Sequence, residues 1–216
     1  MNQFNSAWNF YFNNWQYFAV LAAPVFAVEI ATAYLLLPLE NISPENIAEY
    51  FGDNIFSIGI LSAVGTVLSV GFLGSLYLSF NAKSSSSELE PVTALLSGVY
   101  KFFPLFGAYV LCIIAVFCGL LLLILPGIYL GARLALFPAF IMLEGKGVID
   151  SLKLSWEETD EHGGTLFGLT IFFILLTTII SGIFSSLLDQ GIIQLLILGI
   201  VEYVIIIPWV YVYYSL

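Results

Sequence analysis

The stretch from Leu120 to Trp156, LLLLILPGIYLGARLALFPAFIMLEGKGVIDSLKLSW, decides how the chain folds. It holds an apolar run, a Pro126-Gly127 break, a second apolar run carrying Arg133 and Pro138, then Glu144 and an amphipathic segment. Proline removes a backbone N–H and glycine loosens the chain, so the pair is disfavoured inside a helix. Between two apolar helices it reads as a tight turn at a membrane surface. The second run, residues 128–143, would cover about 24 Å at 1.5 Å per residue, a marginal span. The stretch thus defines one hairpin and delivers a charged helix to one membrane face.

Composition supports the membrane reading. Of 216 residues, 60% are hydrophobic and only 9% charged, with mean hydropathy +1.01. A water-soluble domain cannot cover that much apolar surface. The net charge of −10 comes without basic patches, which argues against nucleic acid as a partner. The first residues, MNQFNSAWNFYFNNWQYF, show neither a positive segment nor a small-residue cleavage site. Cys112 and Cys118 lie six residues apart in one apolar run and point to different sides, so they read as small core residues.

Taken in order, Phe4, Trp8, Tyr11, Trp15 and Phe18 recur at helical spacing, with asparagines on the other side. This predicts an interfacial helix with an aromatic face. A first span follows over 17–39, then the acidic loop LENISPENIAEYFGDN, then a second span over 55–80. Ser87 and Glu90 read as a capping box opening a helix to Phe103, whose apolar face is Val92, Leu95, Leu96, Val99 and Phe103. Further spans are predicted over 104–125, from 128, over 166–188 and over 192–213, with a short turn at Asp189-Gln190-Gly191.

With the N-terminus cytoplasmic, Lys83, Lys101, Lys146 and Lys153 fall in cytoplasmic loops and no basic residue falls outside. Trp8, Trp15, Trp156 and Trp209 then lie near the cytoplasmic interface. The expected architecture is an all-α polytopic domain over 1–216 with six transmembrane helices and cytoplasmic interfacial helices. Residues 1–81, 82–145 and 146–216 each read as an interfacial helix, an outward span, an outer turn and an inward span. They are candidate units of a parallel repeat.

Gly59, Ala63, Val67, Gly71, Ser75 and Ser79 stand at four-residue intervals in the second span. Small side chains at that spacing admit a neighbouring helix closely. Glu29, Arg133 and Glu202 are the ionisable residues inside apolar spans. Charge at membrane depth is costly, so it is paired or faces a cavity. One reading is a structural Arg–Glu bridge; the other is an ion or proton pathway in which Arg133 pairs one glutamate and the other titrates. The run Glu157, Glu158, Asp160, Glu161, His162 contains a lone histidine before two glycines, which reads as a solvated turn rather than a metal site. No hydrolase, metalloprotease or phosphate-cradling motif is present, and no cofactor is implied.

Pro126-Gly127, Pro138 with Ala139, Glu144, Gly147, Ser151-Leu152 and Ser155-Trp156 form a pattern that resembles the YciC-like family of bacterial inner-membrane proteins. That family is related to the membrane domain found beside some glycerophosphodiester phosphodiesterases. The resemblance is sharp over 120–157 and extends in layout over the chain. It implies a bacterial inner-membrane location and a role in the envelope or lipid homeostasis, and it supplies no catalytic residues. The acidic 157–162 loop departs from the basic residues expected there. The leading expectation is a non-enzymatic membrane protein that binds membrane lipids or partner membrane proteins, including itself. The alternative is a transporter or channel using Glu29, Arg133 and Glu202.

Overall fold

In hydrocarbon every backbone N–H and C=O must be satisfied within the protein, and apolar runs of this length do so as helices. The computed structural model describes residues 2–188 and 191–215, so the expected turn at Asp189-Gln190 lies outside the described residues. Among them, all regular structure is helical: α1 (Asn2–Asn13), α2 (Trp15–Leu36), α3 (Ile47–Ser84), α4 (Pro91–Tyr100), α5 (Phe102–Leu122), α6 (Ile124–Leu134), α7 (Phe137–Leu143), α8 (Val148–Glu158), α9 (Gly163–Leu187) and α10 (Ile192–Tyr214), with two short 3₁₀ turns before α3. Six segments are long and apolar enough to cross a membrane, with α6 and α7 together forming one of them. The chain is an all-α integral membrane protein.

Three boundaries differ from the sequence reading, each for a local reason. The acidic loop is half helix: α3 begins at Ile47 and runs 38 residues, about 57 Å, nearly twice a bilayer core. Glu49 in its first turn suits the positive end of the helix dipole, and the Tyr50 hydroxyl donates to the Leu35 carbonyl of α2. At the other end, the expected capping box does not form. Ser86 takes a left-handed φ of 55° and the Ser87 N–H returns to the Ala82 carbonyl at 2.9 Å. That closes α3 as a Schellman motif. Helix α4 starts instead at Pro91, whose missing N–H costs nothing at a first helical position.

The third correction concerns Pro126 and Gly127. The chain reverses at Leu123, which is extended (φ −164°, ψ 155°), and the pair lies in the first turn of α6. Proline is tolerated there because first-turn N–H groups have no helical partner. Gly127 instead serves packing: a Cβ on the facing Gly119 would lie 2.8 Å from the Gly127 Cα, so α5 and α6 cross with backbones nearly touching. Starting α6 at Ile124 rather than at residue 128 also places Arg133 nine positions down the helix, about 14 Å from its start.

The packing follows one rule three times. Hairpins α2–α3, α5–α6 and α9–α10 are each preceded by a short helix, and that short helix packs on the return helix of another hairpin: α4 on α3, α8 on α6 and α7, α1 on α10. Where α4 meets α3, a Cβ on Gly98 would run into the Gly71 carbonyl oxygen. Helix α1 sets Phe10 against Tyr211, stacked at 4.1 Å, and Phe4 edge-on to Phe172 at 5.5 Å. Helix α4 buries one side and leaves the other apolar and open, whereas the open sides of α1 and α8 carry mostly asparagines and charged residues. In α4, Ala94, Leu95 and Gly98 are buried, while Val92, Leu96 and Tyr100 are exposed. Exposed leucine, isoleucine and phenylalanine over the long helices complete a surface suited to lipid.

Candidate functional site

The return helices α3, α6–α7 and α10 converge around a cavity of about 350 Å³. This lies within the range of small-molecule sites. Its walls are aromatic: Tyr77, Tyr109, Phe137, Trp209 and Tyr213, joined by Leu73, Cys112, Gly131, Ala135 and Thr170. Each hydroxyl has a distinct situation. Tyr77 donates to the Ala135 carbonyl at 2.9 Å, and Tyr213 is bonded to the Thr170 hydroxyl. The Tyr109 hydroxyl has no hydrogen-bond partner among the described residues, and its ring packs edge-on against Phe137 at 4.7 Å. A cavity with apolar walls and one free phenol donor can hold an apolar molecule and accept one polar atom from it.

Helical periodicity carries this chamber further. Residues i, i+4, i+7 and i+11 share a helix face, so Glu202 lies on the face of α10 that bears Ile206, Trp209 and Tyr213. Ser69 lies one turn from Leu73 on the corresponding face of α3. Between them stands Glu29 of α2. It accepts 2.6 Å from the Tyr203 hydroxyl and 3.3 Å from the Ser69 hydroxyl. The Glu202 carboxylate has no hydrogen-bond partner among the described residues, and both glutamates are exposed. The structure therefore brings Glu29 and Glu202 to one region next to the cavity.

Arg133 is elsewhere. It does not pair either glutamate; the corrected start of α6 turns it toward α8 and the loop that follows. Its Nε donates to Thr159 Oγ1 at 2.9 Å, Nη1 to the Tyr129 hydroxyl at 2.8 Å, and Nη2 to the Trp156 carbonyl at 2.5 Å. The Nη2 group also meets the Asp160 carboxylate at 2.8 Å, and the guanidinium lies 4.1 Å from the centre of the Trp156 ring. Trp156 thus supplies both a hydrogen bond and a cation–π face. Asp160, expected in a solvated turn, is the arginine's counter-ion. Among the described residues no cluster of three metal-ligating side chains occurs.

The serine pair of the central motif serves the same joint. Ser155 Oγ donates to the Arg133 carbonyl at 2.9 Å and accepts from the Leu136 N–H at 3.1 Å. It satisfies backbone groups freed where α6 gives way to α7, ahead of Pro138. Ser151 is buried and bonds the Val148 carbonyl at 2.9 Å. Glu144 is exposed, 3.6 Å from Lys146. In α3 the small-residue row divides: Gly71, Ser75 and Ser79 are buried, whereas Gly59 and Ala63 are exposed, and a Cβ on Gly59 would meet nothing within 4 Å. Missed by sequence reasoning were Tyr77, Tyr109 and Tyr213, and Trp209 was read only as an interfacial residue; their shared feature is a polar ring tip within an apolar helix.

No solved structure matches the chain. A UPF0259 membrane protein of Photorhabdus laumondii is 34% identical over 96 residues, covering 44% of this chain and 36% of the relative. The match thus spans little more than a third of the relative's length. Residues 48–190, well over half of the chain, match a family model described as a domain of unknown function, DUF7847. They include all of α3 but its first residue, the Arg133 joint and most of the cavity wall, and the chain belongs to this family of membrane proteins.

Proposed function

We propose that the chain is a non-enzymatic protein of the bacterial inner membrane, of the YciC-like kind, that binds a membrane lipid in its central cavity. The observation that carries this reading is the aromatic chamber of about 350 Å³ with one unpartnered phenol, set where three hairpins meet. Both termini lie on the cytoplasmic side in this reading, which the lysine distribution supports. The three short-helix hairpins are quasi-equivalent units, and the cavity is where their return helices meet. The test is lipid extraction from the purified chain. Wild type should retain lipid through purification, and Cys112→Phe, which fills the cavity from its wall, should lose most of it while keeping the same gel-filtration profile. Equal retention in both would overturn the reading.

A second reading, ion or proton transport, is favoured by the Tyr203–Glu29–Ser69 cluster beside Glu202 inside apolar helices. It rests on the two carboxylates, because Arg133 is occupied at the α8 joint. Proteoliposomes loaded with a pH-sensitive dye decide it. Flux abolished by Glu29→Gln or Glu202→Gln supports transport, and flux no greater than in empty vesicles removes it for protons.

A further inference from the structure

The two glutamates stand about one helical turn beyond the cavity, and cavity and carboxylates together suggest the chemistry of a ligand. Glu202 stands one helical turn from Ile206 on the face of α10 that lines the chamber. Glu29 is held beside it by Tyr203 and Ser69. Carboxylates at this depth call for a counter-charge, and the chain cannot supply one. Its five basic residues are Lys83, Lys101, Arg133, Lys146 and Lys153. Arg133 is bound to Asp160, Lys146 lies by Glu144, Lys153 by Glu157, and Lys83 sits over the Tyr17 ring at 4.4 Å. Lys101 joins α4 to α5 at an end of both helices. At the other end of the site, the chamber is apolar with aromatic faces and carries no charged side chain. An anionic or purely apolar ligand would leave Glu202 uncompensated.

We propose that the site takes an amphiphile or lipid whose polar end is an ammonium group. Its apolar chain lies among Tyr109, Phe137, Trp209 and Tyr213. Its positive end lies against Glu202, with Glu29 as the second carboxylate, held in place by Tyr203. This rests on the cavity's being a lipid site and adds the charge of the ligand's head. Binding here is a charge-assisted contact in a region of low dielectric, where such contacts are strongest.

The test uses the full chain in neutral detergent with two photo-crosslinking probes of equal chain length, a diazirine-bearing C12 primary amine and the corresponding C12 alcohol. Labelled positions are mapped by mass spectrometry. The amine should label the cavity wall around Tyr109 and Cys112 more strongly than the alcohol. The variant E29Q/E202Q should lower amine labelling there about tenfold, as expected for losing a charged hydrogen bond, and leave alcohol labelling unchanged. The unchanged alcohol signal shows that the variant is folded. Equal cavity labelling by both probes in wild type would overturn the ammonium assignment and leave the lipid site standing. Cavity labelling by neither probe would overturn both.

Discussion

Arg133 and Asp160 meet at 2.8 Å, yet the arginine side chain is 3% exposed and the aspartate 77%. The pair joins the membrane-spanning α6 to the turn that opens α9. Its two halves are not equal in worth. An exposed carboxylate in an ion pair contributes about 0–1 kcal/mol, whereas the buried guanidinium also holds Thr159, Tyr129 and the Trp156 carbonyl. Asp160→Asn should lower stability by less than about 1 kcal/mol. Arg133→Ala should cost about 2–4 kcal/mol, since it strands buried partners and opens a gap beside Trp156. Thermal unfolding of the purified variants measures the difference; equal losses would contradict this arrangement.

Glycine contacts predict a sharp contrast between Gly98 of α4 and Gly59 of α3. Gly98→Ala should disrupt the α3–α4 crossing and cost about 1–3 kcal/mol or more, because the added Cβ meets the backbone of Gly71 rather than a movable side chain. Gly59→Ala meets nothing within 4 Å and should be neutral or stabilising by up to about 1 kcal/mol through helix propensity. Gel filtration and unfolding temperature report both.

The end of α3 offers a smaller test. Ser86 occupies a left-handed conformation that glycine adopts without strain. Ser86→Gly should therefore be tolerated or stabilise by a few tenths of a kcal/mol, and Ser86→Ile should destabilise by about 1–2 kcal/mol. Glu90→Ala should not show the loss of a cap, because no capping bond exists at α4. Unfolding curves of the three variants separate this closure from a capping box.

The proposed orientation rests on the lysines and is open to labelling. On a background with Cys112 and Cys118 replaced by Ala, a cysteine at Ser85 should react with an impermeant maleimide only in inverted vesicles. A cysteine at Ser43 should react in intact cells. The reverse pattern would place the termini outside.

Much of the architecture was legible because apolar runs and their interruptions are local. The six candidate crossings were readable from hydropathy, and the short helices before the hairpins from amphipathic spacing. Boundaries depended on backbone detail that hydropathy does not encode. Ser87 could cap α4 or close α3, and Pro126 suits either a turn or a first helical turn. The Arg133 partners were harder to read, although Ser151, Ser155 and Thr159 repeat every four residues along α8 and its C-terminal cap and mark a polar buried face. A charge-rich loop concealed that face. The cavity had no local signature at all: Tyr77, Tyr109, Phe137 and Tyr213 come from separate helices, and only packing brings them together.

The most direct test of the lipid site is native mass spectrometry of the full chain released from lipid nanodiscs. The account predicts a dominant species carrying one lipid that survives collisional activation, replaced in Cys112→Phe by the bare chain. A wild-type spectrum of bare chain only, under conditions where the fold persists, would contradict it.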